Sequence, residues 1–258
     1  MMMPSLFIAH GAPSLALEEN VYTEFLQKLG QELPKPKAIV LFSAHWESTT
    51  QLVSSVPDTY ETIYDFGGFQ PELYQIKYPA KGHAETTSEV VKLLTEAGIS
   101  VQTDDTRGLD HGAWVVLRLL YPEADIPVVA LSVNRYLTGE QQYQVGQALA
   151  ALREQNILVV GSGGTVHNLR RLNWESQGVD TWAMEFDSWI QDKLERWDTE
   201  ALFAYDKLAP SAQAAVPTPE HFVPLLLAMG AGDEKKQASL LFRAYQLGNL
   251  SLSCWKFE

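Results

Sequence analysis

Apolar positions along the chain follow two periodicities. Ser5–Ala9, Ala38–Phe42, Pro127–Val133 and Asn156–Val160 are short runs with almost no polar interruption. A run of roughly four to eight apolar residues that does not alternate with polar ones is what a strand covered on both faces looks like. Between these runs the spacing becomes helical. Val90, Leu93, Leu94 and Ala97 fall at i, i+3, i+4 and i+7, and Gly98 stands where that helix should stop. Thr138 with Gln141 three residues on predicts a capping box, opening a helix that turns Val145, Leu149 and Leu152 inward. A third helix is predicted from Thr181, with Trp182, Phe186, Trp189, Ile190 and Leu194 on one stripe. Strands that alternate with helices of this length need crossover connections. The pattern therefore predicts a single α/β domain over residues 1–258, with a largely parallel central sheet flanked by helices.

Three further segments complete the outline. Leu247–Phe257 alternates apolar and polar residues and predicts an edge strand. Tyr205–Pro219 holds three prolines and many small residues, which predicts a connecting loop. A second long loop runs from Val56 to Gly82 and carries Phe66-Gly67-Gly68-Phe69 with several tyrosines, a candidate pocket wall or a plain surface excursion.

Charge and composition then narrow the chemistry. The 258 residues carry a net charge of −13, and no basic cluster is longer than Lys235-Lys236. Phosphate backbones and anionic membrane surfaces find no electrostatic footprint, so nucleic acid is excluded as the expected partner. No apolar run approaches the roughly 20 residues that a membrane helix needs. The segment Met1–His10 lacks a basic n-region, which predicts a cytoplasmic protein. With Cys254 as the one cysteine there is no intramolecular disulfide and no thiolate cage. Any metal must be held by histidine and carboxylate.

Six histidines are available: His10, His45, His83, His111, His167 and His221. His10 and His45 directly follow predicted strands, and His167 follows Ile157–Val160 across the turn Gly161-Ser162-Gly163-Gly164-Thr165. In open α/β sheets ligands bind in the crevice outside the carboxyl ends of the strands, so these three point toward one site. A single histidine after a strand is ordinarily a satisfied polar side chain; three at one crevice call for a shared role. His221 falls in the first turn of a helix through Leu225–Met229, with Thr218 as N-cap, Pro219 at the first position and Pro224 predicting a kink. His111 precedes another helix and has Asp110 beside it as a carboxylate that could orient its ring. His83 is expected to be solvated. Glu220 adjoins His221, but helix neighbours point about 100° apart, so both should not be ligands at once.

Other readings of these residues fit less well. No Gly-Lys-Ser/Thr follows Gly161-Ser162-Gly163-Gly164, so it is not a phosphate loop, and it lacks the third glycine of a dinucleotide fingerprint. Val160 occupies the position where a nucleophile elbow on Ser162 requires glycine.

Six motifs occur in order along the chain: His10-Gly11-Ala12-Pro13-Ser14, Ser43-Ala44-His45-Trp46, Asp65-Phe66-Gly67-Gly68-Phe69, Asp110-His111-Gly112-Ala113-Trp114, Val166-His167-Asn168-Leu169 and Pro217-Thr218-Pro219-Glu220-His221. Together they resemble the class III extradiol ring-cleaving dioxygenases, and within them the single-chain 4,5-DOPA extradiol type. The resemblance implies one divalent metal per chain at His10, His45 and His221, with Fe(II) for turnover and Zn(II) in a resting or purified form. His221 then stands where a two-histidine, one-carboxylate site would have an acid. The resemblance gives His167 a catalytic acid/base role with a near-neutral pKa, or a fourth position on zinc, and gives His111 a contact on the substrate or dioxygen side. The implied substrates are a DOPA-like catechol and O₂, and the product is a semialdehyde. Arg170 and Arg171, just past His167, are the candidate partners for a substrate carboxylate. Two alternatives use the same crevice: a zinc-dependent hydrolase with His167 or Glu220 as base, and a non-catalytic docking site for peptide or protein.

Overall fold

A computed structural model describes residues 2–175 and 178–258. In chain order the strands and α-helices are β1 (Ser5–Ala9), α1 (Val21–Glu32), β2 (Ala38–Glu47), β3 (Gln51–Ser54), α2 (Ala84–Glu96), β4 (Val101–Asp104), α3 (His111–Leu120), β5 (Val128–Val133), α4 (Gly139–Ala148), β6 (Ile157–Gly163), α5 (Thr181–Glu195), α6 (Thr199–Phe203), α7 (Tyr205–Leu208), α8 (Ala212–Ala215), α9 (Val223–Ala231), β7 (Ala238–Phe242), β8 (Tyr245–Gln246), β9 (Leu250–Ser251) and β10 (Cys254–Phe257). Eight strands form one sheet in the order β4-β3-β5-β2-β6-β1-β10-β7. Its centre is parallel: β6 lies between β2 and β1, and β5 runs parallel to β2 on the other side.

The non-alternating strands are explained by what lies on each face. Leu6, Ile8, Ile39, Leu41, Leu158 and Val160 point into a core closed by α1 and α3, whereas Ala38, Val40, Phe42, Ile157 and Val159 point into the core under α4 and α9. Successive side chains of one strand thus enter opposite cores, and both sets must be apolar. No helix among the described residues is long and apolar enough to cross a membrane.

The capping box at Thr138 and Gln141 forms as expected, with the Thr138 hydroxyl accepting from the Gln141 amide. Several expectations are corrected. Strands β2 and β6 run past their apolar runs to Glu47 and Gly163, because small residues and glycines continue the pairing with each other and with β1. The tail is not an edge: β10 lies between β1 and β7, which is itself the edge strand. Its alternating polar residues are buried instead of solvated, since Ser251 and Ser253 both donate to the carboxylate of buried Asp187. The Tyr205–Pro219 stretch contains the short helices α7 and α8. His83, expected to be solvated, is half-buried and caps α2, its Nδ1 accepting from the Thr86 amide. His221 closes a separate 3-10 turn, Pro219–His221, ahead of α9, and Thr218 makes no side-chain cap there. This is the break that Pro224 imposes.

One close approach fixes where that turn sits. A Cβ on Gly163 would lie 2.1 Å from the His221 carbonyl oxygen, and one on Gly161 would lie 2.1 Å from that of Pro224. Only glycine lets β6 and the turn meet this closely. Gly163→Ala is therefore expected to lower the unfolding free energy by about 1–3 kcal/mol, read from urea denaturation of metal-free protein; an unchanged midpoint would show that the turn has room to retreat.

Candidate metal centre

Each histidine is delivered by backbone contacts. The His10 amide donates to Gly163 O at 3.1 Å, and the Tyr22 hydroxyl donates to Ala9 O, so β1 ends under control of two neighbours. His45 lies within β2, not after it, and its amide donates to Ser43 Oγ, which in turn donates to Asp110 Oδ1 at 2.6 Å. The Gly164 amide donates to His221 O at 2.9 Å. The His167 amide donates to Ala215 O in α8 at 2.9 Å. His111 is the first residue of α3, and Asp110 caps that helix by accepting from the Ala113 amide. Asp110 is thereby occupied, and the carboxylate that orients His111 is Asp65 instead, accepting from both Nδ1 at 2.9 Å and the amide at 3.0 Å.

The structure brings His10, His45 and His221 together at the carboxyl ends of β1, β2 and β6. Nε2 of His45 lies 3.1 Å from Nε2 of His10 and 3.2 Å from Nε2 of His221. A metal about 2.1 Å from each of two nitrogens holds them about 3.0–3.4 Å apart, depending on whether the angle is octahedral or tetrahedral. The separations fit a cation. The outer nitrogens are held as well: His10 Nδ1 by Ser162 Oγ at 3.1 Å, His221 Nδ1 by Glu220 Oε1 at 3.1 Å, and His45 Nδ1 by Asp65 Oδ2 at 3.4 Å. Ser162 donates its own proton to Gly112 O, so it accepts from His10. Protons fixed on Nδ1 leave three Nε2 lone pairs facing inward. The donor sets His45/Asp65/His111 and His167/Glu220/His221 adjoin this trio. The His167 ring stacks on His221 with centroids 3.5 Å apart and 6° between planes.

Electrostatics favour neutral rings. Burial, then the neighbouring histidines, push His10 well below the usual range. Burial and the charges of His111 and His221 hold His45 down at about 2. Burial and His221 hold His167 at about 3, not near neutrality as expected from sequence. Burial raises Asp65 and Glu220, but hydrogen bonds and charge from His111 and from His221 and Thr218 outweigh it in sum and keep both at about 2. The site thus pairs acceptor-form imidazoles with ionised carboxylates at neutral pH.

A cavity of about 470 Å³ opens over these rings, lined by His45, His111, His167, His221, Asp65 and Glu220 and by Phe66, Phe69, Leu169, Leu172 and Trp174. The long loop, read from sequence as either a pocket wall or a surface excursion, supplies Phe66 and Phe69 to this cavity. Arg170 and Arg171, by contrast, line a different cavity with Asp206 and Ser211, and the Arg171 guanidinium sits 5.4 Å from the Trp182 ring. Sequence reasoning missed Asp65, Ser162 and Arg107, the last donating to both His45 O and Asp110 Oδ2. Asp65 and Ser162 lay inside noted motifs but had no local spacing to mark them, since their partners are 46 and 152 residues away.

Fold and site together define an α/β protein with an open, histidine-lined centre whose donors fit a metal ion. The family model described as the catalytic LigB subunit of aromatic ring-opening dioxygenase matches residues 4–253. The chain is 44% identical to a 4,5-DOPA dioxygenase extradiol of Beta vulgaris, over 98% of this chain and 96% of that one. It is 38% identical to the protein of the same name from Escherichia coli (strain K12), over 97% and 93%. A crystal structure of an uncharacterized protein from Escherichia coli K12 superposes with a TM-score of 0.84 at 35% identity, covering 99% of this chain and 100% of that one. The chain belongs to the LigB family of aromatic ring-opening dioxygenases and is a metal-dependent extradiol ring-cleaving enzyme. The hydrolase reading is not favoured.

The depressed histidines make a pH prediction. Their unfolded pKa is about 6.5, so below that value the unfolded chain takes up protons that the folded, metal-free chain refuses until about 3. Stability is present above about pH 6.5 and falls as pH drops toward 3, by up to about 1.4 kcal/mol per pH unit for each such ring. The urea midpoint of metal-free protein should be lower at pH 5 than at pH 7.5; a midpoint that holds or rises would contradict neutral rings.

Proposed function

We propose that the chain, as one catalytic domain over residues 1–258, binds Fe(II) through His10, His45 and His221 and cleaves a DOPA-like catechol with O₂ to a semialdehyde. Zn(II) would occupy the same nitrogens, with His167 as the fourth position, in a resting or purified form. The reading is supported above all by the three Nε2 atoms converging within 3.2 Å contacts around His45. DOPA is the compound in the names of the similar proteins from Beta vulgaris and Escherichia coli. The lone, buried Cys254 suits a cytoplasmic enzyme.

When bound, the metal raises the acidity of the catechol hydroxyls and passes electrons between ring and dioxygen. The side chains do the rest. His167 is neutral at pH 7 and takes a proton from a catechol hydroxyl at a ring nitrogen, its plane fixed by the stack on His221. His111 has its Nδ1 committed to Asp65, so Nε2 is the atom that steadies the oxygen side or returns a proton. Phe66 stands edge-on to His111, with ring centroids 5.6 Å apart, and helps exclude water from this side. Glu220 fixes the His221 ring through Nδ1 and is not counted as a ligand.

Two experiments test this. Anaerobically purified protein loaded with Fe(II), then given DOPA or simple catechols in air, should consume oxygen in proportion to a yellow product, and zinc-loaded protein should not; no oxygen uptake with any catechol despite metal binding would return the weight to hydrolysis. Separately, His10→Ala and His45→Ala should each lose bound metal by elemental analysis, whereas His167→Ala should retain metal and lose at least about 100-fold in kcat, the scale of general acid/base assistance. A fully active His167→Ala protein would remove that residue from the chemistry.

A further inference from the structure

A charged network reaches the metal centre from outside the cavity. Arg135, two residues past the end of β5, places Nε 2.7 Å from Glu47 Oε2 and Nη1 3.8 Å from Glu220 Oε2. Glu47 is the last residue of β2, two positions after His45, and Glu220 directly precedes His221. The loop that carries Arg135 is fixed in place: Asn134 Nδ2 donates to Thr49 O at 2.9 Å, Asn134 Oδ1 accepts from the Tyr136 amide at 3.1 Å, and the Ser48 amide donates to Val133 O at 3.0 Å. The two oxygens of Glu220 differ in their surroundings. Oε1 accepts from His221 Nδ1 at 3.1 Å and from the Thr218 hydroxyl at 2.8 Å. Oε2 is buried without a hydrogen-bond partner among the described residues, and Arg135 is the cation paired with it. A carboxylate oxygen shut away from water is costly unless a cation faces it. The Glu220 side chain is only 13% exposed against 36% for Arg135, so this pair is shielded from much of the screening that weakens surface ion pairs. Glu47 and Glu220 repel each other, and Arg135 offsets that repulsion by pairing with both.

We propose that Arg135 is a positioning residue for the His221 ligand: by pairing with Glu220 Oε2 it keeps Oε1 on His221 Nδ1, so that Nε2 of His221 stays turned toward the metal site. The proposal rests on the metal reading above and extends its support outward by two residues, from His221 through Glu220 to Arg135. Without the guanidinium, Glu47 and Glu220 face each other uncompensated and Glu220 turns toward solvent, which frees the His221 ring to rotate. Arg135 does not line the histidine cavity, so it acts on the ligand and not on the substrate.

The test reads Zn(II) affinity of the full chain by competition with a chromophoric chelator, without turnover. Arg135→Met should raise the Zn(II) Kd by at least about tenfold, the scale on which removing the support of a ligand histidine acts. Arg135→Lys, which keeps a cation beside the two carboxylates, should raise it by no more than about threefold. Glu220→Ala should weaken binding at least as much as Arg135→Met, and adding Arg135→Met to it should change Kd by less than about twofold, because the arginine then has nothing to act through. Metal-free Arg135→Met should keep the near-UV circular dichroism of the unaltered protein; should it fail to fold, Arg135→Gln carries the same comparison. A Kd that Arg135→Met leaves unchanged or tightens, a lysine variant as weak as the methionine one, or a full loss on top of Glu220→Ala overturns the proposal. If His221→Ala binds Zn(II) as tightly as the unaltered protein, the metal reading falls and takes the proposal with it. With His221→Ala weakened and Arg135→Met unmoved, the proposal falls alone.

Discussion

Three imidazole lone pairs held within 3.2 Å contacts around His45 are the constraint on which the rest of the site depends. Such lone pairs repel one another in the absence of a cation, so the geometry persists only because each ring is fixed from behind. Ser162 and Glu220 each accept a hydrogen bond from an Nδ1, and Asp65 Oδ2 lies 3.4 Å from that of His45, so the opposite nitrogens face inward. Burial then disfavours the protonated forms of His10 and His45, which spares the core a cluster of positive charge.

Those anchors come from distant parts of the chain, and the sheet brings them into register. Placing β6 between β1 and β2 sets Ser162 beside His10 and puts the ends of three parallel strands next to one another. The glycines of β6 then allow the 3-10 turn of His221 to pack directly on the strand, backbone against backbone. Asp110 ties Ser43, two residues before His45, to the first turn of α3, and Arg107 joins the same carboxylate to the His45 carbonyl. Asp65 closes the set by linking His45 to His111, so a residue on a long loop couples a histidine of β2 to one at the start of α3. The same loop supplies Phe66 and Phe69, which makes the pocket wall and the orientation of two histidines parts of one structure.

The sequence by itself determined the α/β class, the four central strands and all five histidines of the crevice. It could do so because strands covered on both faces must be continuously apolar, and because each histidine sits in a local motif at a strand or helix end. The short strands β3 and β4 were not legible: Val101–Asp104 is at most half-buried, so pairing within the sheet, and not an apolar run, makes it a strand. Tertiary structure alone decided the strand order, the burial of the tail around Asp187, the break before α9 as an independent turn, and the choice of Asp65 over Asp110 as the partner of His111. It also turned Arg170 and Arg171 away from the cavity beside which they lie in sequence. The physical reason is common to all of these. A side chain's type and periodicity report its immediate surroundings, whereas the partner of a polar group, or the far side of a glycine, is set by contacts between residues tens to hundreds of positions apart.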